Sequence, residues 1–110
     1  MIRKNTFNNN TAILKYNLPA RLVSEIRTFA QRFSIDKVIL FGSRAKGTNR
    51  QRSDIDIAIS GGNFSDFYWN LKENTHTLLM FDIVNIDNDI SDELLTEIKR
   101  NGVIIYEKVK

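Results

Sequence analysis

Cysteine is absent from this 110-residue chain. That excludes disulfides and any zinc or iron–sulfur site built on thiolates, and it fits a reducing cytosol. Histidine occurs once, as His76. A metal site would therefore have to rest on carboxylate oxygens, with that one imidazole at most. No apolar run approaches the ~20 residues of a membrane-spanning helix. The opening Met1–Asn10 stretch is polar and rich in asparagine, without the apolar stretch of a signal peptide. A cytoplasmic protein with no membrane contact is the expectation. An excess of one charge is also lacking: 16 Lys and Arg face 13 Asp and Glu, for a net +3. That bias is too mild to argue for direct nucleic-acid binding.

Apolar residues make up 42% of the chain, enough for one small core. The length suits one domain, over residues 17–110, preceded by an N-terminal arm over 1–16. A domain this short buries a modest share of its surface, so a partner could add to its stability. Within the arm, Ile13, Leu14 and Tyr16 could pack locally. Asn17 to Phe33 reads as a helix, with Pro19 in its first turn and Leu22, Ile26, Phe29 and Phe33 at helical spacing. Lys37 to Phe41 is a short continuous apolar run, hence a strand buried on both faces. Gly42 ends it, Ser43 to Lys46 begins a short helix, and Gly47 to Arg52 forms a polar loop. Asp54 to Ile59 reads as a second strand, broken by Gly61 and Gly62. Phe64 to Asn74 is a helix and Leu78 to Ile86 a third strand. Ser91 caps a helix running to Arg100, which Asn101-Gly102 closes with a left-handed residue. Val103 to Tyr106 is the last strand. This alternation implies an α/β (α+β) fold, a mixed β-sheet with flanking helices.

Three features could carry chemistry. Phe41-Gly42-Ser43 joins a buried strand to a helix start. A glycine there lets a phosphate approach the backbone, and the helix N-terminus offers free N–H groups. Gly-Ser turns are also common without function. Asp54-Ile55-Asp56 places two carboxylates on one side of a strand, close enough to share Mg²⁺ or Mn²⁺. The same pair would equally serve as an exposed polar strand face. Asp82 falls inside the apolar run Leu78–Val84, where a carboxylate is costly unless paired or bound to metal. A position at a strand end, open to water, would remove that cost. Asp87 and Asp89 lie nearby as alternatives. Arg44, Lys46, Arg50 and Arg52 form a basic stretch without an acidic residue among them. It reads either as a solvated loop or as a receiver of anions.

Gly42-Ser43, ten residues, then Asp54-x-Asp56 matches the signature of the polymerase-β-like nucleotidyltransferases. The fuller strings Phe41-Gly42-Ser43-Arg44-Ala45-Lys46-Gly47 and Ser53-Asp54-Ile55-Asp56 resemble the minimal nucleotidyltransferase (MNT) branch. The resemblance runs over roughly residues 20–106 and includes Asp82 and the closing Asn101–Glu107 stretch. It implies that Asp54 and Asp56 bind metal and that Asp82 is the third carboxylate, a ligand able to take the acceptor's proton. Gly42 and Ser43 would hold the triphosphate of ATP, and Arg44, Lys46 and Arg52 would offset its charge. Stand-alone MNT chains resemble the antitoxin of HEPN–MNT toxin–antitoxin pairs. The implied reaction is AMP transfer from ATP to a tyrosine of a helical HEPN ribonuclease toxin, which silences it. Two other readings stay open. One is an MNT-fold antitoxin that acts by contact alone, which would have no need of three carboxylates in one place. The other is an adenylyltransferase for a small molecule or an RNA end, against which the short length and the lack of a broad basic face argue. His76 reads as a surface residue. Tyr68 and Trp69 read as core or interface, with core favoured for Trp69. Phe64 and Phe67 join them as interface candidates.

Overall fold

The computed structural model describes residues 17–109; the expected arm over 1–16 lies outside them. Helix α1 spans Ala20–Arg32, one turn shorter than the sequence suggests. Pro19 stands just outside as its N-cap, and its carbonyl accepts the Leu22 and Val23 amides at 3.0 and 3.1 Å. Strand β1 follows at Lys37–Phe41, then the short helix α2 at Gly42–Lys46 and strand β2 at Ile55–Ser60. Helix α3 covers Phe64–Asn74, capped by the Asn63 side chain on the Asp66 amide. Strand β3 is Phe81–Asn85, helix α4 is Asp92–Asn101, and strand β4 is Val103–Glu107. The Ser91 side chain caps α4 through the Leu94 amide.

The four strands form one mixed sheet in the order β3-β2-β1-β4. β1 runs antiparallel to β2 and β4, and β2 runs parallel to β3. A parallel pair needs a crossover, and α3 supplies it. Alternation along the strands divides the core in two. On one face Val38, Leu40, Ile55, Ile57, Ile59, Phe81 and Ile105 pack with residues of α1 and α3, among them Leu22, Ile26, Phe67 and Leu71. On the other, Phe41 and Ala58 meet Ile98 of α4, with Ile39, Val84 and Leu94 packed around them. β1 is thus buried on both faces, as its unbroken apolar run implies.

Two expectations are corrected. β3 starts three residues later than the Leu78–Ile86 reading, because pairing with β2 begins only at Ile55 opposite Phe81. Leu78 and Met80 are consequently exposed. Gly102 closes α4 with φ −66°, not in a left-handed conformation. What demands a glycine there is space, since a Cβ would run into the Ile98 carbonyl oxygen and the Ile39 side chain.

Candidate active site

Three chain segments meet where β1 ends and β2 and β3 begin. Asp56 faces Phe41 across the antiparallel pair and Asp82 across the parallel one. Ile55, Ile57 and Ile59 of β2 fill the α1/α3 core, so Asp56 and Ala58 point to the α4 face. Ala58 is covered there and Asp56 is not fully so. Asp82 shares that face, since Phe81 and Ile83 pack on the opposite side. It is the second residue of β3 and exposed. Asp82 therefore stands near a strand end, in water, and not amid a buried strand as its apolar neighbours suggest. Asp54 lies one residue before β2 and is also exposed.

The carboxylates sense one another. The Asp56 carboxyl is pushed up to about 6, first by burial, then by the charges of Asp82 and Asp54 and by a hydrogen bond with Asp82. Gly42 closes the site from the β1 side. Its φ is +73°, and a Cβ there would fall onto the Asp56 carboxylate, 3.0 Å from its Cγ. Glycine is required on two counts, backbone conformation and space. Asp87 belongs elsewhere. Its Oδ2 accepts the Gly61 amide at 2.6 Å and its Oδ1 the Ser60 hydroxyl at 3.3 Å, at the far end of β2. Asp89 is exposed in the loop after β3.

The basic stretch does not act as one group. Arg44 is 5% exposed. Its Nε donates to the Ser53 carbonyl at 3.1 Å, Nη1 to the Asn17 carbonyl at 2.9 Å, and Nη2 to the Gln51 carbonyl at 3.0 Å. The sequence suggests a role in offsetting phosphate charge for Arg44; in the fold its guanidinium is committed to three backbone carbonyls. Lys46 lies 3.7 Å from Glu97 of α4 in an ion pair. Arg50 and Arg52 are exposed. Sequence reasoning missed the burial of Arg44 because nothing local marks a cation whose partners are main-chain carbonyls.

The aromatic residues of α3 divide likewise. Phe67 is fully buried, so it belongs to the core and to no interface. Trp69 is 56% exposed, which overturns its assignment to the core. Tyr68 bridges it to Phe64, with ring centroids 5.1 and 5.9 Å away. His76 is on the surface, where its Nδ1 meets the Glu25 carboxylate at 2.5 Å.

Among the described residues no group of three or more His, Asp or Glu side chains is gathered closely enough to hold a metal ion. The donor set nonetheless fits a hard cation. It is all oxygen, it gathers negative charge at one place, and a divalent ion would relieve the repulsion that raises Asp56.

A glycine turn leading into a short helix, beside carboxylates on two neighbouring strands of a mixed sheet, defines a nucleotidyltransferase-type domain. Residues 24–110 match the Polymerase beta, Nucleotidyltransferase family, and the chain belongs to it. None of the curated proteins compared with it matches. Among solved structures it is similar to a toxin–antitoxin crystallised with AMP-PNP, at 23% identity and TM-score 0.63, covering 78% of this chain and 73% of that one. A mutant of the toxin–antitoxin MntA-HpeT gives 21% identity and TM-score 0.63 over the same shares. A putative nucleotidyltransferase from Sulfolobus solfataricus gives 21% identity and TM-score 0.53, covering 90% of this chain and 86% of that one. At these identities the likeness is one of fold. No helix among the described residues is long and apolar enough to cross a membrane.

Proposed function

We propose that the chain transfers AMP from ATP to an acceptor hydroxyl, and that the acceptor is a tyrosine of a helical HEPN-type ribonuclease toxin which the modification silences. One observation carries the reading: Asp56 lies against the Gly42 turn on one side and pairs in register with Asp82 of the neighbouring strand on the other. Family membership supports the reaction type. The fold likeness to toxin–antitoxin structures, one of them with AMP-PNP, supports the adenine nucleotide and the toxin partner.

The strand order supplies a line for the reaction. The Gly42-Ser43 turn ends β1, Asp56 is on the adjacent β2, and Asp82 is on β3 beyond it. In-line displacement needs the leaving group, phosphorus and attacking oxygen in such a row. The turn's backbone amides would hold the β- and γ-phosphates, with the α-phosphorus over Asp56. Asp82, open to solvent, would receive the acceptor. Its carboxylate takes the hydroxyl proton as the oxygen bonds to the α-phosphorus. The bond from that phosphorus to the bridging oxygen breaks, and pyrophosphate leaves. Asp54, Asp56 and Asp82 are the residues to hold Mg²⁺ or Mn²⁺, which when bound stabilises charge on the attacking and leaving oxygens. Arg52, exposed and two residues before Asp54 in the chain, is a candidate for offsetting phosphate charge. Lys46 would have to leave Glu97 to assist.

The test is co-incubation of the chain, Mg²⁺ and α-labelled ATP with the product of the neighbouring gene, expected to be a helical protein. Label on a partner tyrosine, absent with Asp54→Asn, is the expected result. Relief of toxicity by Asp54→Asn without any adduct would replace this reading with neutralisation by contact. Label on an RNA end or a small molecule alone would keep the chemistry and reject the partner.

A further inference from the structure

We propose that Arg44 is a positioning residue, which aims the Asp54 carboxylate relative to the Gly42-Ser43 turn. Asp54 needs such help. It precedes β2, and its side chain is exposed. Its direction is set by the two peptide groups that flank its Cα. The Ser53–Asp54 peptide offers its carbonyl to Arg44 Nε at 3.1 Å. The Asp54–Ile55 peptide offers its N–H to the Met80 carbonyl at 2.8 Å. With both peptide planes held, the Cα–Cβ bond of Asp54 points one way. Arg44 holds one of them and the β3 side of the site holds the other.

The remaining donors of Arg44 extend this role. Nη2 binds the Gln51 carbonyl and Nη1 the Asn17 carbonyl, at 3.0 and 2.9 Å. The loop before Asp54 is thus pinned at two of its last three residues, and the chain entering α1 is tied to the same guanidinium. Ser53 and Arg50 close a turn in the same loop through two more bonds, of 2.8 and 3.1 Å. Arg44 itself sits on the five-residue α2 that starts at Gly42. One short rigid element therefore carries the phosphate turn at its start and the clamp on Asp54 two residues later. A planar fork of donors suits three divergent carbonyls, whereas an ammonium on a flexible stem does not. The expected penalty follows from the general effect of losing groups that orient metal ligands, about 10–100-fold in affinity.

The proposal rests on Asp54 being a metal ligand, and a double-mutant cycle with Mn²⁺ as the probe separates the two. Binding of Mn²⁺ alone is followed by water-proton relaxation, on protein shown by circular dichroism to be folded. Arg44→Lys should weaken Mn²⁺ about 10–100-fold, Asp54→Asn should weaken it as well, and the double variant should be no worse than Asp54→Asn. A purely structural arginine would instead give additive losses, and additivity overturns the proposal. So does Mn²⁺ affinity unchanged in Arg44→Lys while Asp54→Asn is impaired. Unchanged affinity in Asp54→Asn removes the ligand assignment, and the proposal with it. Should Arg44→Lys fail to fold, a glycine inserted between Gln51 and Arg52 keeps the arginine and disrupts its two-carbonyl grip. That chain should lose Mn²⁺ affinity to a similar degree, and wild-type affinity there would overturn the proposal.

Discussion

Replacing Asp56 by asparagine should stabilise the metal-free protein at neutral pH. Its carboxyl is raised from 3.8 to about 6 by burial, by the charges of Asp82 and Asp54, and by the hydrogen bond to Asp82. The folded state therefore holds the proton more tightly than the unfolded one. Between about pH 4 and 6 folding takes up a proton, so stability falls as pH rises through that window, and the full penalty is present above it. A carboxyl moved from 3.8 to about 6 corresponds to at most about 3 kcal/mol. The site is partly open, and solvent screening reduces this to about 1–2 kcal/mol. Asparagine has nearly the same shape and no charge at any pH. In a domain of this size 1 kcal/mol moves the melting temperature by roughly 4–8 °C. Thermal unfolding in EDTA at pH 7.5 should therefore show Asp56→Asn melting roughly 4–16 °C above wild type. The gap should close as pH approaches 4. Added Mg²⁺ should stabilise the wild type by mass action and leave the variant unmoved. A variant less stable than wild type at pH 7.5 in EDTA, or a gap independent of pH, would refute the reasoning.

Gly42→Val should abolish ATP binding in equilibrium dialysis, because its Cβ enters the space of the Asp56 carboxylate at a φ of +73°; Ser43→Ala, which keeps the backbone amides, should lose far less. Asp82→Ala should lower the transfer rate about 10²–10⁴-fold in single-turnover assays, with ATP affinity little changed. Near wild-type rates would instead leave the proton to solvent. Chemical denaturation should separate two neighbouring aromatics of α3. Phe67→Ala, fully buried, should cost about 3–5 kcal/mol, and Trp69→Ala about 1 kcal/mol or less. Partner capture should depend on Trp69, and unchanged capture by Trp69→Ala would remove it from the interface.

Elements whose ends are set by local chemistry were legible in the sequence. β1 spans Lys37–Phe41 and α3 Phe64–Asn74 as read, because Gly42 and the apolar period mark their limits. β3 was misread at its start. Leu78, Leu79 and Met80 continue the apolar run, but strand length depends on the neighbour, and β2 offers no residue before Ile55. Spacing put Asp54 and Asp56 on one strand, whereas the strand starts at Ile55 and Asp54 stands just before it; the approach of Asp82 to Asp56 depends on the register of a parallel pair that no local pattern encodes. Arg44 shows the same limit from the other side. Its charge suggests an anion, and only the folded loop reveals three carbonyls around it.

The alignment of Asp56 with Asp82 has a consequence for how such a chain can vary. A slip of one residue between β2 and β3 would turn Asp82 toward the α1/α3 core and bring Phe81 or Ile83 into the reaction space. The burial of Phe81 on the core side opposes that slip. The connection between the two strands carries none of the proposed reacting groups, and up to Leu79 it makes no bond to the peptide groups that flank Asp54; only the Met80 carbonyl at its end does. Its helix could be lengthened by whole turns, or its flanking loops recast for a different partner, with the chemistry untouched. On the proposed function, change in the partner and preservation of the reaction would fall to separate stretches of one short chain.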